Sequence, residues 1–320
     1  MKSLNLLALF ATTLLATAAH AEPGKWTDEP VRIVVTFPPG GTSDLVARIL
    51  AQYLESEFGQ KAVVDNRPGA GGTVAADYVA QQAPDGTTLI LGNNAPFTIA
   101  PTQFETLPYD PIAGFTHIAN LGASTPGLFV QPSLGITDLD GFIEKAKGDG
   151  ITYGSSGVGS ITHILGNAVD GALGIATIHV PYQGSAPAIQ DFRAGVLEAF
   201  YDSMAQNAAM IEDDEVVALA VASPARSARF PDIPTFRELG YDVVIENWTG
   251  LSGPAGMDPA MVATIHDSVE YIMALPPVIE QMDQWGISHT AMTTEEFSAF
   301  VANTITVWRP LIEAANVNGG

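Results

Sequence analysis

One local pattern recurs along this chain: an apolar extended run, a loop of small residues and then an amphipathic helix. In its first copy, apolar side chains alternate from Val31 to Phe37 and then recur at helical spacing from Leu45 to Leu54. The pattern returns in three further segments, "VVDNRPGAGGTVAADYVA", "ITYGSSGVGSITHILG" and "IHVPYQGSAPAIQDF". Repeated strand–loop–helix units predict an α/β fold of parallel sheets wrapped by helices, with ligands bound at the carboxyl ends of the strands.

The loops of this pattern are suited to binding an anion. In the first loop, Pro38 to Gly41, glycine lets the backbone approach a ligand closely, and the free N–H groups of the following helix carry partial positive charge. Thr42, Ser43 or Asp44 is expected to cap that helix. For any single loop a tight strand-to-helix turn is the simpler explanation, but four such loops in one chain favour a binding cleft.

The specific phosphate-binding motifs are incomplete in this sequence. No Gly-Lys-Ser/Thr follows Gly40 and Gly41, so the P-loop lysine is missing. Neither "GAGGTV" nor "GVGSIT" completes the G-x-G-x-x-G pattern of dinucleotide-binding loops. Nucleotide binding is therefore not expected.

A serine hydrolase is the alternative from a different functional class. Ser155, Ser156 and His163 lie in one segment, and Asp202 follows a run typical of a strand. However, "GSSGVG" is not the G-x-S-x-G elbow, and its serines lie where a helix cap is expected. The sequence favours a capping or ligand-binding serine over a nucleophile, so no catalytic residue is predicted.

The six histidines show no spacing typical of a metal site, and neither a metal nor another cofactor is expected. His163 stands out because it lies in the first turns of a helix that follows one of the small-residue loops. Direct ligand contact and packing beneath the loop both remain open for this side chain.

The first residues, "MKSLNLLALFATTLLATAAHA", have the pattern of a secretory leader. One Lys precedes an apolar run from Leu4 to Leu15, and Ala19 to Ala21 form a small-x-small cleavage site. The apolar run is shorter than the roughly 20 residues of a membrane anchor, which is the alternative. Residues 1–21 are therefore predicted to be a signal peptide, and a chain without cysteine fits an exported protein of the periplasm.

Charge and length restrict the partners and the architecture. The formal net charge of −22 makes nucleic acid an improbable partner. A chain of this length suits two lobes better than one core. We expect the chain to cross between lobes within "HIANLGASTPGLFVQPS" and "VVIENWTGLSGPAG". This predicts one lobe from residues 22–122 and 248–320 and a second lobe from residues 123–247.

These segments resemble the extracytoplasmic solute receptors of tripartite tricarboxylate transporters, the Bug or TctC receptors. The resemblance covers nearly the whole mature chain. It rests on the order of "RIVVTFPPGGTSDLVARILA", "VVDNRPGAGGTVAADYVAQQAPDGTTLILG", "YGSSGVGSITHILG", "VPYQGSAPAIQDF", "RFPDIPTFRELGY" and "WTGLSGPAGMDPAMV". It implies a two-lobed periplasmic binding protein of type II, with two crossing strands between the lobes and a carboxylate ligand in the cleft.

The resemblance also implies a set of ligand-binding residues and partners. The first lobe would contribute Phe37, Gly40, Gly41, Thr42, Asp44, Asn93 and Asn94. The second lobe would contribute Ser156, Ser160, Thr162, His163, Gln183, Gly184, Ser185 and Asp202. The implied partners are a small organic acid and the membrane subunits of the transporter, with a monomeric receptor; a receptor for a sensor kinase is a further alternative.

Two features bear on ligand specificity. "LGNNAPFTIAP" departs from the family pattern, in which small hydroxyl residues and a histidine are more usual. Asp44 is interpreted either as a helix cap or as an acceptor for an ammonium or hydroxyl group of the ligand, and we favour the second hypothesis. The identity of the carboxylate cannot be read from the resemblance.

Overall fold

The computed structural model describes residues 22–182, 184–227 and 229–315. The predicted signal peptide, residues 1–21, lies outside the described residues. The described chain forms two mixed β-sheets with helices packed on them.

The first sheet has six strands in the described chain. They are β1 (Val31–Val35), β2 (Ala62–Asn66), β3 (Thr88–Asn93), β4 (Phe115–Ser124), β10 (Asn247–Pro254) and β11 (Ile287–Ser288). Their spatial order is β11-β4-β10-β3-β1-β2. Strands β2 and β3 flank β1 in parallel, whereas β10 runs antiparallel to β3 and β4.

The second sheet has five strands in the described chain. They are β5 (Pro126–Val130), β6 (Thr152–Ser155), β7 (Ile178–Pro181), β8 (Ala199–Ser203) and β9 (Val217–Val221). Their order is β7-β6-β8-β5-β9. Strand β6 is parallel to β7 and β8, and β5 is antiparallel to β8 and β9.

Helices cover both sheets. The α-helices are α1 (Thr42–Phe58), α2 (Thr73–Ala80), α3 (Ala100–Gln103), α4 (Leu139–Gly148), α5 (Ile161–Leu173), α6 (Ser185–Arg193), α7 (Ala208–Glu212), α8 (Pro259–Met273), α9 (Pro276–Gln284) and α10 (Thr294–Ala314). A π-helical segment, Ala95–Ile99, precedes α3. None of the helices within the described residues is long and apolar enough to span a bilayer.

All four predicted strand–loop–helix units are present. The pairs are β1 with α1, β2 with α2, β6 with α5 and β7 with α6. Within each sheet these strands run parallel, so the loops that follow them gather at one edge. Strand β1 is buried at every position except Arg32, so its apolar run is nearly continuous, as expected for a strand covered on both faces.

The chain crosses between the sheets in both predicted runs. Strand β4 ends in the first sheet at Ser124, and β5 begins in the second sheet at Pro126. On the return, the Ile245 N–H donates to the Ala222 carbonyl beside the second sheet, and β10 begins in the first sheet at Asn247. The two lobes are therefore joined by two adjacent connections.

The last helix, α10, packs against the cores of both lobes. Phe297 and Val301, near its start, belong to the aromatic cluster around Phe97 and Trp248 of the first lobe. Trp308 and Ile312, near its end, are buried in the core of the second lobe. We keep the assignment of residues 248–320 to the first lobe as a proposal. The second half of α10 is an exception, because it packs against the second lobe.

Candidate functional site

A cleft of about 790 Å³ is lined by loops from both sheets. The first lobe contributes the loops after β1, β2 and β3, and the second lobe contributes the loop between β6 and α5. The lining residues are Phe37, Pro38, Pro39, Gly41, Thr42, Ser43, Ala70, Gly71, Asn93, Asn94, Ala95, Ile99, Gln103, Phe104, Ser156, Val158, Gly159, Ser160, Ile161 and Asn247.

About half of the residues predicted for the site line this cleft. Those in the lining are Phe37, Gly41, Thr42, Asn93, Asn94, Ser156 and Ser160. Those outside the lining are Gly40, Asp44, Thr162, His163, Gly184, Ser185 and Asp202. Gln183 lies outside the described residues.

The first loop presents the amino end of α1 to the cleft. Gly40 has a φ of +89°, a left-handed conformation that favours glycine. Gly41 is the N-cap of α1, and no side chain caps the helix. The prediction of a cap from Thr42, Ser43 or Asp44 is therefore wrong. Thr42 and Ser43 form the first turn at the cleft, where backbone N–H groups have no intrahelical partner.

Asp44 holds the loop together instead of facing a ligand. Its buried carboxylate accepts hydrogen bonds from the Gly40 N–H at 2.9 Å, from Arg48 Nε and Nη2 at 2.9 and 3.0 Å, and from Asn66 Nδ2 at 3.0 Å. The hydrogen bond from Arg48 lowers the pKa of Asp44 below its ordinary value. Each carboxylate oxygen already has two donors, so the hypothesis of a ligand-facing acceptor at Asp44 does not fit this geometry.

The segment "LGNNAPFTIAP", which departs from the family pattern, forms the end of β3 and the π-helical turn. Asn93 Oδ1 accepts a hydrogen bond from the Ala95 N–H at 3.0 Å. Asn94 Nδ2 donates to the carbonyl of Glu246 at 3.0 Å, at the second connection between the lobes. Both asparagines line the cleft, so this segment joins the site to the interlobe connection.

The second-lobe loop is held by a network of hydroxyl groups. Thr162 Oγ1 accepts a hydrogen bond from the Ser156 N–H and lies 2.9 Å from the hydroxyls of both Ser156 and Ser160. The Ser160 side chain caps α5 by accepting from the His163 N–H at 3.2 Å. Thr162 therefore lies under the loop, while Ser156 and Ser160 line the cleft.

His163 is packed beneath the loop. Its Nδ1 accepts a hydrogen bond from the Gly159 N–H at 3.2 Å, and its ring stacks on His179 with centroids 4.0 Å apart. Burial lowers the pKa of His163, and burial together with the adjacent His163 lowers the pKa of His179 to about 4. Both rings are therefore neutral at pH 7 and act as packing groups.

The stacked histidines predict an acid-sensitive second lobe. Because their folded pKa values are lowered, protonation favours the unfolded chain: stability is complete above pH 6.5 and falls as the pH drops towards 4. Between pH 7 and pH 5, the free energy of unfolding should fall by about 1 kcal/mol less in a His179→Gln variant than in the wild type. Urea unfolding at both pH values measures this difference, and equal losses in the two proteins would contradict it.

The hydroxyls and histidines do not form the arrangement of a hydrolase. Ser156 is hydrogen-bonded to Thr162 and not to His163. The serine–histidine pair that does form joins Ser155 to His179 at 2.6 Å, and Ser155 is completely buried. Among the described residues, neither Ser156 nor Ser160, the two serines of this loop that line the cleft, is hydrogen-bonded to a histidine ring.

Gly184 contacts the binding loop, because its N–H donates to the Ser156 carbonyl at 3.1 Å. Ser185 and Asp202 form a second, partly buried contact. The Ser185 hydroxyl donates to Asp202 Oδ1 at 3.2 Å, and Asn207 Nδ2 donates to Oδ2 at 3.2 Å. Burial raises the pKa of Asp202. This contact joins the start of α6 to the end of β8 at the edge of the second sheet that carries the binding loop.

The lining of the cleft contains no charged side chain among the described residues. An anion there would be held by backbone N–H groups, side-chain amides and hydroxyls. The Asp44 charge is neutralised by Arg48 and therefore does not repel an anion at α1. A ligand carboxylate can therefore bind beside Asp44 without repulsion between the two negative charges.

Some of the lining residues could be predicted from the sequence, and others could not. Ala70 and Gly71 belong to a small-residue loop that the pattern had already singled out. Gln103, Phe104 and Asn247 have no motif, because only the folding of distant segments brings them to the cleft.

Comparison with known proteins agrees with this architecture. The family model TctC, described as the tripartite tricarboxylate transporter family receptor, matches residues 46–317. The chain belongs to this receptor family. The protein BugT of Bordetella pertussis is 31% identical over 98% of both chains.

Two solved structures extend the comparison. Rpa4515 of R. palustris with adipate has a TM-score of 0.78 and 27% identity, covering 91% of this chain and 99% of its own. MatC from Rhodopseudomonas palustris with bound malate has a TM-score of 0.72 and 28% identity, covering 88% of this chain and 98% of its own. The predicted family and the two-lobed type II architecture of this receptor are confirmed.

Proposed function

We propose that this receptor captures a small organic carboxylate between its lobes and delivers it to the membrane subunits of a tripartite tricarboxylate transporter. The observation that carries the proposal is that the amino ends of α1 and α5 line one cleft. Family membership and the acids in the solved relatives, adipate and malate, support the same ligand class.

The carboxylate would be bound without a counter-ion from a side chain. Helix N-termini carry partial positive charge, and their first N–H groups are free donors. Hydrogen bonds to a charged group contribute roughly 1.5 to 3 kcal/mol each, so a few of them support useful affinity. Thr42 and Ser43 would donate their backbone N–H groups from the first lobe. From the second lobe, Ser156 would donate its hydroxyl and Ile161 its backbone N–H. The hydroxyl and the N–H of Ser160 already donate to the Gly157 carbonyl, so Ser160 orders the loop at the cleft.

The other predicted site residues have supporting positions in this proposal. Gly40 and Asp44 hold the first loop, and Thr162 and His163 hold the second. Asp202 with Ser185 orders the end of β8. Asn93, Asn94 and Phe37 would contact the rest of the ligand.

The receptor is proposed to be a monomer of the periplasm, exported by the signal peptide of residues 1–21. Catalysis is not part of the proposal, because Ser156 has no histidine partner. A receptor of this kind releases its ligand unchanged to the transporter.

A thermal-unfolding screen of the purified protein against organic acids tests the function. A ligand at about 100 times its Kd should raise the free energy of unfolding by about 2.7 kcal/mol, and the melting temperature by roughly 4 °C. A panel of mono-, di- and tricarboxylic acids without a shift at millimolar concentration would contradict the proposal. Turnover of simple esters that Ser156→Ala abolishes would replace it with the hydrolase.

A further inference from the structure

The cleft has a large apolar component beside its anion-binding groups. Phe37 is 37% exposed and Val158 is 63% exposed, although large apolar side chains are usually buried. Both line the cleft. Exposed apolar groups that line a concave site are typical of ligand contacts.

These two side chains flank the two anion-binding loops. Phe37 directly precedes the loop that leads to α1, and Val158 lies within the loop that leads to α5. Ile99 and Phe104 of the first lobe and Ile161 of the second continue the apolar surface. The apolar groups therefore come from both lobes, as the anion-binding groups do.

The uncharged lining sets a limit on the charge of the ligand. A carboxylate that leaves water without full pairing carries a large desolvation penalty. A citrate-like acid would bring three carboxylates into a cleft in which no described lining residue is basic. An acid with one carboxylate and an apolar body brings a single charge, which the N–H groups of α1 and α5 can pair, and gains from the burial of its own apolar surface.

We propose that the ligand is a carboxylic acid with an apolar body, an aromatic ring or an alkyl chain, and that Phe37 and Val158 contact this body. The inference rests on the proposed function and specifies its ligand class. Substrates of the citrate type are poor ligands of this receptor.

Calorimetric titration with three acids tests the inference: 3-phenylpropanoate, malate and citrate. The wild type should bind 3-phenylpropanoate at least about tenfold more tightly than citrate. Val158→Ser should weaken binding of 3-phenylpropanoate about fivefold, because the ligand no longer covers two methyl groups. The affinity of the same variant for malate should change by less than about twofold.

Val196→Ser is the matched control, because Val196 is also 63% exposed and does not line the cleft. It should bind all three acids as the wild type does. Phe37→Ser is the second test variant and should show the same selective loss as Val158→Ser.

The outcomes separate the ligand class from the function. The inference is overturned if citrate or malate binds more tightly than 3-phenylpropanoate. It is also overturned if Val158→Ser and Phe37→Ser bind 3-phenylpropanoate as the wild type does. In both cases the receptor function stands. If none of the three acids binds and the broader screen also shows no shift, the receptor function itself is overturned.

Discussion

Replacement of Gly41 by valine is expected to weaken carboxylate binding by about 100-fold, with little change in the free energy of unfolding. Gly41 has a φ of −79°, which any residue adopts, and an added Cβ would meet only the Pro38 carbonyl at 3.7 Å. The fold therefore tolerates the side chain. Its methyl groups would extend into the cleft and keep a carboxylate away from the first N–H groups of α1.

Calorimetry with the best acid from the screen measures the loss, and urea unfolding measures the stability. Gly148→Val is the matched control: Gly148 is exposed at the end of α4, and an added Cβ meets no atom within 4 Å. It should bind as the wild type does. A folded Gly41→Val protein with wild-type affinity would remove the first loop from the site.

The substitution Asp44→Ala is expected to lower the free energy of unfolding by about 2 kcal/mol. The change leaves the Gly40 N–H without its acceptor and removes the partner of Arg48. The Asn66 amide loses one of its two acceptors and keeps the Phe37 carbonyl. Arg48 is half exposed, so solvent screens the ion pair and most of the loss comes from the buried hydrogen bonds. Ligand affinity should fall as well, because the first loop loses its anchor.

Urea unfolding at pH 7 measures this loss, with Asp28→Ala as the control. Asp28 also pairs with a cation, Lys25, but it is 98% exposed, and its removal should leave stability unchanged. The pKa of Asp44 is lower in the folded protein than in the unfolded chain. Its contribution to the free energy of unfolding is therefore present above pH 3.8 and is lost as the pH falls through the folded pKa. Equal stabilities of wild type and Asp44→Ala at pH 7 would contradict this role.

The fold was predictable where local periodicity and tertiary burial agree. Strand β1 and helix α1 are of this kind, because the alternating residues of β1 and the periodic residues of α1 enter the same core. The glycines of the first loop were equally informative, since a left-handed φ at Gly40 is a local requirement.

The remaining features depend on contacts between distant segments. The Arg48 partner of Asp44 lies four residues along the same helix, a spacing that the sequence shows. The Asn66 partner was not predictable, because it lies on the neighbouring strand and becomes a donor only in the folded sheet. The contact of Trp308 with the second lobe has the same origin, because helical periodicity indicates which face of α10 is buried but not against which core. Asn247 reaches the cleft only through the second connection between the lobes.

The most direct test of the account is a crystal structure of this receptor with its best acid. The account predicts a carboxylate oxygen about 3 Å from the backbone nitrogen of Thr42 or Ser43, and a hydrogen bond to the same carboxylate from the Ser156 hydroxyl or the Ile161 N–H. The ligand would then join the two lobes at the amino ends of α1 and α5. A carboxylate held by one lobe alone, or outside the cleft between Phe37 and Val158, would contradict the account.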